Sequence, residues 1–326
     1  MSLAARLEKN QAAVYVLAIA LGAATGLGLS GTGALQSAVS PAIAVMLFAT
    51  FLQVPMTELG EAFRDIRFLG ALLAANFVVI PLVVLSGFWL LPEDPLIRLG
   101  VALVLLSPCI DYVVAFAHLG QADSRRILAA TPVLLLVQML LLGPFLEVMP
   151  GVGARGLLDP APFLHALVWL IGIPLLAAGA CQTGRVRRAA GERVMAGLGL
   201  LPVPATAAVL FVVVASVMPD VDRAREAALA VVPFYAAFAC VAPLAGWGVG
   251  RAFRLGDRAT RAVAFSAATR NSLVVLPLAL AIPGALPVVP AVIVTQTLVE
   301  LLSELVYIRV LPRLGNPPFP GRAGSP

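Results

Sequence analysis

The sequence predicts an all-α polytopic membrane protein with ten transmembrane helices arranged as two inverted five-helix repeats, the fourth and ninth being discontinuous and crossing. Three observations predict it. The 326 residues are 60% hydrophobic and 12% charged, with a mean hydropathy of +0.99, whereas soluble domains carry about 25% charged residues. Apolar runs of roughly 20 residues, the length that crosses a bilayer core, follow one another along the whole chain. Basic residues gather in alternate connecting segments, as orientation signals do.

Taken in order, the spans fall at about 11–29, 37–57, 68–91, 97–119, 127–149, 162–181, 194–218, 228–249, 260–282 and 288–309. Arg6 and Lys9 ahead of the first run resemble a signal-peptide start, but that run is longer than a typical signal core and is read as the first span. Of the 22 basic residues, 17 fall on one side of the resulting map, from Arg6 and Lys9 through Arg64, Arg67, Arg125 and Arg126 to Arg309, Arg313 and Arg322. This bias predicts that both termini are cytoplasmic, and the setting expected is a bacterial inner (plasma) membrane. The divisions are a cytoplasmic N-terminus at 1–10, a first repeat at 11–149, an external linker at 150–161 and a second repeat at 162–312. The tail at 313–326 is expected to be disordered, since GNPPFPGRAGSP is too rich in Pro and Gly to pack.

The duplication is visible at a common offset. AVMLF at 44–48 matches AAVLF at 207–211, Pro81–Leu82 matches Pro243–Leu244, and Pro132 with Gln138 matches Pro290 with Gln296. Five spans is an odd number, so two such copies insert in opposite senses.

Several function classes are excluded at this point. The net charge of +5 sits in short loops, with no basic run interleaved with aromatics, so nucleic acid is not a partner. There is no Gly-rich phosphate loop, no HExxH, no CxxC and no nucleophile–base pair, so an enzyme is not expected and no metal or cofactor is implied. Cys109, Cys181 and Cys240 lie in three different apolar segments, a pattern of buried small residues rather than of a disulfide framework.

Chemistry concentrates where polar residues interrupt apolar spans. The ninth span holds Thr269, Arg270, Asn271 and Ser272 in a row, and an ionisable residue at membrane depth costs at least ~2.5 kcal/mol unless paired or facing a wet cavity. Pro277 follows and is expected to break or kink this helix. The equivalent fourth span holds Pro108, Cys109 and Asp111. Where two broken spans cross, free carbonyls favour cations and helix N-termini favour anions. Cys109, Asp111, Arg270 and Asn271 are therefore the candidate substrate contacts, with an Asp111–Arg270 ion pair as the structural alternative. In the tenth span Gln296, Glu300 and Glu304 are spaced four apart on one helical face. Glu300, the deeper carboxylate, is the preferred ion carrier, with Glu304, Thr269, Ser272 and Gln296 in support, while Glu304 alternatively pairs with Arg309 or an arginine of the loop between the eighth and ninth spans. Gln53 and Asn76 are read as cavity lining or as packing polar groups, and His118 and His165 as interfacial.

The stretches SPCIDYVVAFAHLGQADS at 107–124, FSAATRNSLVVLPLALA at 265–281 and TLVELLSELVYIRVLPRL at 297–314 resemble the sodium/bile-acid symporter superfamily, in particular its arsenite efflux permease branch. The resemblance implies ten spans in inverted repeats, alternating access and an ion gradient as the driving force. It also implies metalloid handling by Cys109 and a matching role for Glu300. The function expected is secondary active, ion-coupled efflux of arsenite or a related small oxyanion or metalloid. A sodium-coupled symporter of a small organic anion is the alternative. The coupling ion is H+ or Na+, the partners are a small-molecule substrate and the lipid bilayer, and a homodimer is left open as the assembly.

Overall fold

The structure, a computed structural model, describes residues 6–7, 10–53, 65–110, 112–152, 167–182, 197–218, 221–280, 282, 284 and 287–314. The readings placed on Asp111, His165, most of the 150–161 linker and the tail beyond 314 lie outside the described residues, as does the side chain of Gln53. Among the described residues there are helices and no β-strands, and apart from short 3-10 and π turns the order is α1 (Gln11–Gly28), α2 (Gln36–Gln53), α3 (Ile66–Leu90), α4 (Pro95–Leu105), α5 (Val113–Leu119) and α6 (Ser124–Val148). The chain continues with α7 (Ile173–Gln182), α8 (Pro202–Val217), α9 (Val221–Ala252), α10 (Asp257–Ala268), α11 (Ser272–Leu280) and α12 (Val288–Val310).

The chain is thus an all-α, multi-pass membrane protein. Four described helices are each long and apolar enough to cross a membrane alone, within Ile66–Leu90, Ser124–Val148, Arg225–Ala252 and Val288–Arg313, and a bent pair at Thr32–Val39 and Pro41–Leu52 adds a fifth. Large apolar side chains such as Leu82, Trp89, Leu140, Leu176 and Leu244 face outward, a surface suited to lipid rather than water.

Local sequence explains the helix starts. Asp65, Asp94 and Asp123 cap α3, α4 and α6, accepting from the backbone N–H groups of Phe68 (3.1 Å), Leu96 (2.8 Å) and Arg126 (3.4 Å) respectively. Within α3, residues Ala75–Val79 form a π turn. Pro81 lies just beyond it, and a proline ring crowds the carbonyl four residues earlier, which here belongs to Phe77.

Two sets of helices result. In one, α1 and α2 pack on α8, and α2 also packs on α7; in the other, α3, α4, α5, α6, α9, α10 and α12 pack together, with α12 touching α4, α5, α9 and α11, and the two sets meet where α12 touches α8 and α11 touches α2. At one end of the second set, Asp65, Arg67, Arg126, Arg254, Leu255 and Gly256 line a cavity of about 440 Å³. Arg126 bridges Asp65 (2.7 Å) and Asp123 (3.0 Å) there, so loops predicted to share one face do meet. At another corner Arg98 donates to the carbonyls of Leu91, Pro92 and Pro150.

The expected break at Pro277 needs correcting. Helix α11 runs helically through position 277 to Leu280, and the chain breaks instead at Thr269–Asn271. A proline in the second turn of a short helix removes a single ladder bond, whereas the groups freed at 269–271 find partners on another segment.

Close approach between α9 and α10 depends on Gly246, where an added Cβ would lie 2.9 Å from both the Ala264 Cα and the Val263 carbonyl oxygen. Backbone atoms cannot move aside as a flexible side chain can. Gly246→Val is expected to cost about 1–3 kcal/mol by overpacking, read as a lowered melting temperature of the purified protein in detergent. Gly248→Ala, with nothing within 4 Å of the new carbon, is expected to leave it unchanged.

Candidate functional site

The helices at the predicted fourth and ninth spans are each broken, and the breaks face one another. Helix α4 ends at Leu105 and α5 begins at Val113; α10 ends at Ala268 and α11 begins at Ser272. Pro108 and Arg270 form an isolated antiparallel bridge. The Cys109 N–H donates to the Thr269 carbonyl (3.1 Å), and the Asn271 N–H donates to the Ser107 carbonyl (2.8 Å). Backbone groups that two broken helices would leave without partners are thereby satisfied.

Arg270 sits at the centre of this crossing and is fully buried, at 0% exposure. Its guanidinium turns back toward the helix ends. One terminal nitrogen reaches Asn76 Oδ1 (2.8 Å) and the carbonyls of Ser266 (2.5 Å) and Ala267 (2.7 Å), and the other reaches the Leu105 carbonyl (3.3 Å). The Phe238 ring lies 6.0 Å from its central carbon. The ion pairs among the described residues lie elsewhere, joining Arg126 with Asp65 and Asp123, and Arg251 with Asp257.

The backbone of the same residue serves a different group. The Arg270 N–H donates to Glu300 Oε2 (2.7 Å), Gln296 Nε2 donates to that oxygen as well (2.5 Å), and the Tyr112 hydroxyl donates to Glu300 Oε1 (2.6 Å). Glu300 on α12 thus holds one donor from each broken span. A water-sized cavity of about 10 Å³ adjoins it, bounded by Tyr235, Phe238, Gln296 and Tyr307 among others.

Glu304, one turn further along α12, is also fully buried and accepts from the Thr269 hydroxyl (2.6 Å). The expected pairing with Arg309 is corrected here. The Arg309 guanidinium donates to the Leu305 carbonyl (2.6 Å) at the exposed end of α12, while Glu304 faces inward to the crossing. Asn271 caps α11 through its Oδ1, which accepts from the Val274 N–H (3.3 Å), and Ser272 accepts from the Thr297 hydroxyl (2.8 Å). Cys109 is buried on the partner strand of the bridge, and His118 is exposed at the end of α5.

Of the sequence-predicted residues, Cys109, Thr269, Arg270, Asn271, Ser272, Gln296, Glu300 and Glu304 come together around the crossing, and Asp111 lies outside the described residues. Asn76 belongs to the site more closely than its sequence context suggests. The π turn carries it toward α10, where it donates to Ser266 Oγ (2.9 Å) while accepting from Arg270. Tyr112 and Thr297 were not anticipated. Their signal was position alone, since Tyr112 adjoins the polar break and Thr297 lies one residue from Gln296.

A family model for the sodium bile acid symporter family matches residues 40–222, a stretch that contains the Ser107–Tyr112 half of the crossing. The arsenical-resistance protein Acr3 of Corynebacterium glutamicum is 24% identical over 197 residues, 55% of this chain and 52% of that protein. The chain spans about half the length of this relative.

Removing one acceptor from a buried charged group costs about 1.5–3 kcal/mol. Asn76→Ala is expected to destabilise by that amount, read from the melting temperature in detergent, against less than about 0.5 kcal/mol for Ser86→Ala on the outward face of α3.

Proposed function

Because the chain belongs to the sodium bile acid symporter family, a family of transporters rather than enzymes, we propose that it is a secondary active transporter. It exports arsenite or a related small oxyanion or metalloid by alternating access, with protons as the coupling ion. The observation that carries this reading is Glu300, a buried carboxylate whose donors come from both broken spans at their crossing. The arsenical-resistance name of the Acr3 relative supports the choice of solute.

The chemistry follows from what each residue can do. An ionised carboxylate accepts several hydrogen bonds, whereas a protonated one must also donate. A proton arriving on Glu300 displaces one of the donors from Tyr112, Arg270 or Gln296, which loosens α12 from the crossing. Its departure restores the contact, so proton binding and helix rearrangement are one event. Cys109 contacts the solute: its soft sulfur suits trivalent arsenic, and its thiol replaces one hydroxyl of As(OH)3, releasing water and forming one As–S bond. Thr269, Ser272 and Asn271 hold the crossing while this happens.

The same reading carries the ten-span inverted repeat. Spans one and two pack mainly with six and seven, and spans three to five with eight to ten, the sets meeting where seven touches ten and nine touches two, so each set contains matching members of the two copies. The arginines that share the cavity beside Asp65 support a common, cytoplasmic face for the second-to-third, fourth-to-fifth and eighth-to-ninth loops, in a bacterial inner membrane.

The test is transport in everted vesicles under an imposed proton gradient. Arsenite is expected to accumulate when the interior is acid, Cys109→Ser to lose most of that accumulation, and Glu300→Gln to flatten its dependence on pH. Sodium-driven movement of a small carboxylate with no response to arsenite would overturn the assignment.

A further inference from the structure

The family's name carries sodium, and the place where a broken-helix transporter holds a coupling cation is the carbonyl end of its half-helices. Here that place is filled from within. Helices α4 and α10 both end at the crossing, so the negative ends of two helix dipoles converge there. Their free carbonyls, Leu105 on α4 with Ser266 and Ala267 on α10, join Asn76 Oδ1 to make a cage of neutral oxygens. Such a set of hard oxygen donors is what a small alkali or alkaline-earth cation takes.

We propose that the Arg270 guanidinium is a resident cation that occupies this oxygen cage in place of sodium, making the protein sodium-independent. Several features converge on it. The guanidinium is fully buried, its described partners are uncharged oxygens drawn from α3, α4 and α10, and no described carboxylate pairs with it. Both terminal nitrogens are engaged by these oxygens, and only the buried Nε is left without a partner among the described residues. A sodium ion would have to displace a covalently tethered charge or lie against it, at the cost of like-charge repulsion. Arg270 reaches the cage because its own backbone is extended at the bridge, which lets the side chain fold back over the end of the helix it has just left. The fixed charge performs the electrostatic task of a coupling ion, neutralising two helix ends, without being able to leave.

The proposal deepens the transporter reading by fixing the class of coupling ion, and it is tested by a measurement that needs no transport. Purified protein in detergent is melted in sodium, potassium and choline chloride at equal ionic strength. The wild type is expected to melt at the same temperature in all three. Arg270→Met, which keeps much of the volume and removes the charge, is expected to gain a rise of a few degrees in sodium alone, because a ligand that binds only the folded state stabilises it. A sodium-specific rise in the wild type would overturn the proposal, as would a folded Arg270→Met with no sodium response. If Arg270→Met does not fold, the wild type still decides. Arg270→Lys, which keeps a charge in the cage, is expected to fold and to remain indifferent to sodium, and a sodium-specific rise in it counts against the proposal. If solute movement fails in vesicles while these melting results hold, the assigned transport is wrong and the resident cation stands.

Discussion

Two backbone hydrogen bonds between Ser107–Cys109 and Thr269–Asn271 are the constraint on which the rest of this structure depends. A broken helix in a membrane leaves amide and carbonyl groups that no water is present to satisfy, each costing several kcal/mol. Neither break is tolerable by itself. Together they satisfy one another in a short antiparallel bridge, and each is the condition for the other. Once the bridge forms, its extended backbone points alternate groups in opposite directions. The Arg270 side chain goes to the carbonyl ends of α4 and α10, and its N–H goes to Glu300 on α12. With Asn76 on α3 also held by the guanidinium, one residue joins four helices through two different parts of itself.

That division explains how a buried arginine and a buried glutamate coexist without a direct guanidinium–carboxylate pair. Among the described residues the hydrogen bonds to each charge come from neutral dipoles, with the Arg270 Nε alone left unpartnered in the guanidinium. The guanidinium has carbonyls and one amide oxygen, and the carboxylate has a phenol, an amide and a backbone N–H. A buried ion pair depends on holding its partner, and loss of one member strands the other. Dipoles fixed to separate helices distribute that dependence, so a rearrangement at one charge need not abandon the other.

Much of this was legible in the sequence, and the reasons are physical. Most described helices fall within a few residues of the predicted apolar runs because hydrophobic length in a membrane is set by the bilayer, a local constraint, although α9 begins seven residues ahead of its run. The run Thr269–Ser272 stood out because polar groups at membrane depth are costly, and the spacing of Gln296, Glu300 and Glu304 placed them on one face. What could not be read was which residue breaks the chain. Pro277 is the strongest local breaker in the ninth span, yet the break falls at Arg270. Its location is decided by pairing with a segment some 160 residues earlier, which no local propensity records. Asn76 was obscured for the same reason, since only the π turn ahead of Pro81 swings it toward α10. Tyr112 carries no local signal beyond its place beside the break, and its part follows only from the hydroxyl set against Glu300.

The two carboxylates of α12 show why spacing alone could not rank them. Glu300 and Glu304 are one turn apart, both buried, and both in contact with the ninth span at its break. Glu300 meets the backbone of Arg270 and the hydroxyl of Tyr112, and so senses the distance between the two broken spans. Glu304 meets Thr269, which follows α10 and whose hydroxyl also lies 2.7 Å from the Phe265 carbonyl of that helix, so its described contact is with the α10 side of the crossing. A group whose donor comes from one of the two broken segments can change its charge without altering the distance between them. A group whose donors come from two segments cannot. In the proposed cycle this is what selects Glu300. Coupling requires that occupancy by the proton and the arrangement of the crossing be mutually exclusive alternatives, and of the two carboxylates only Glu300 has contacts that reach across the crossing.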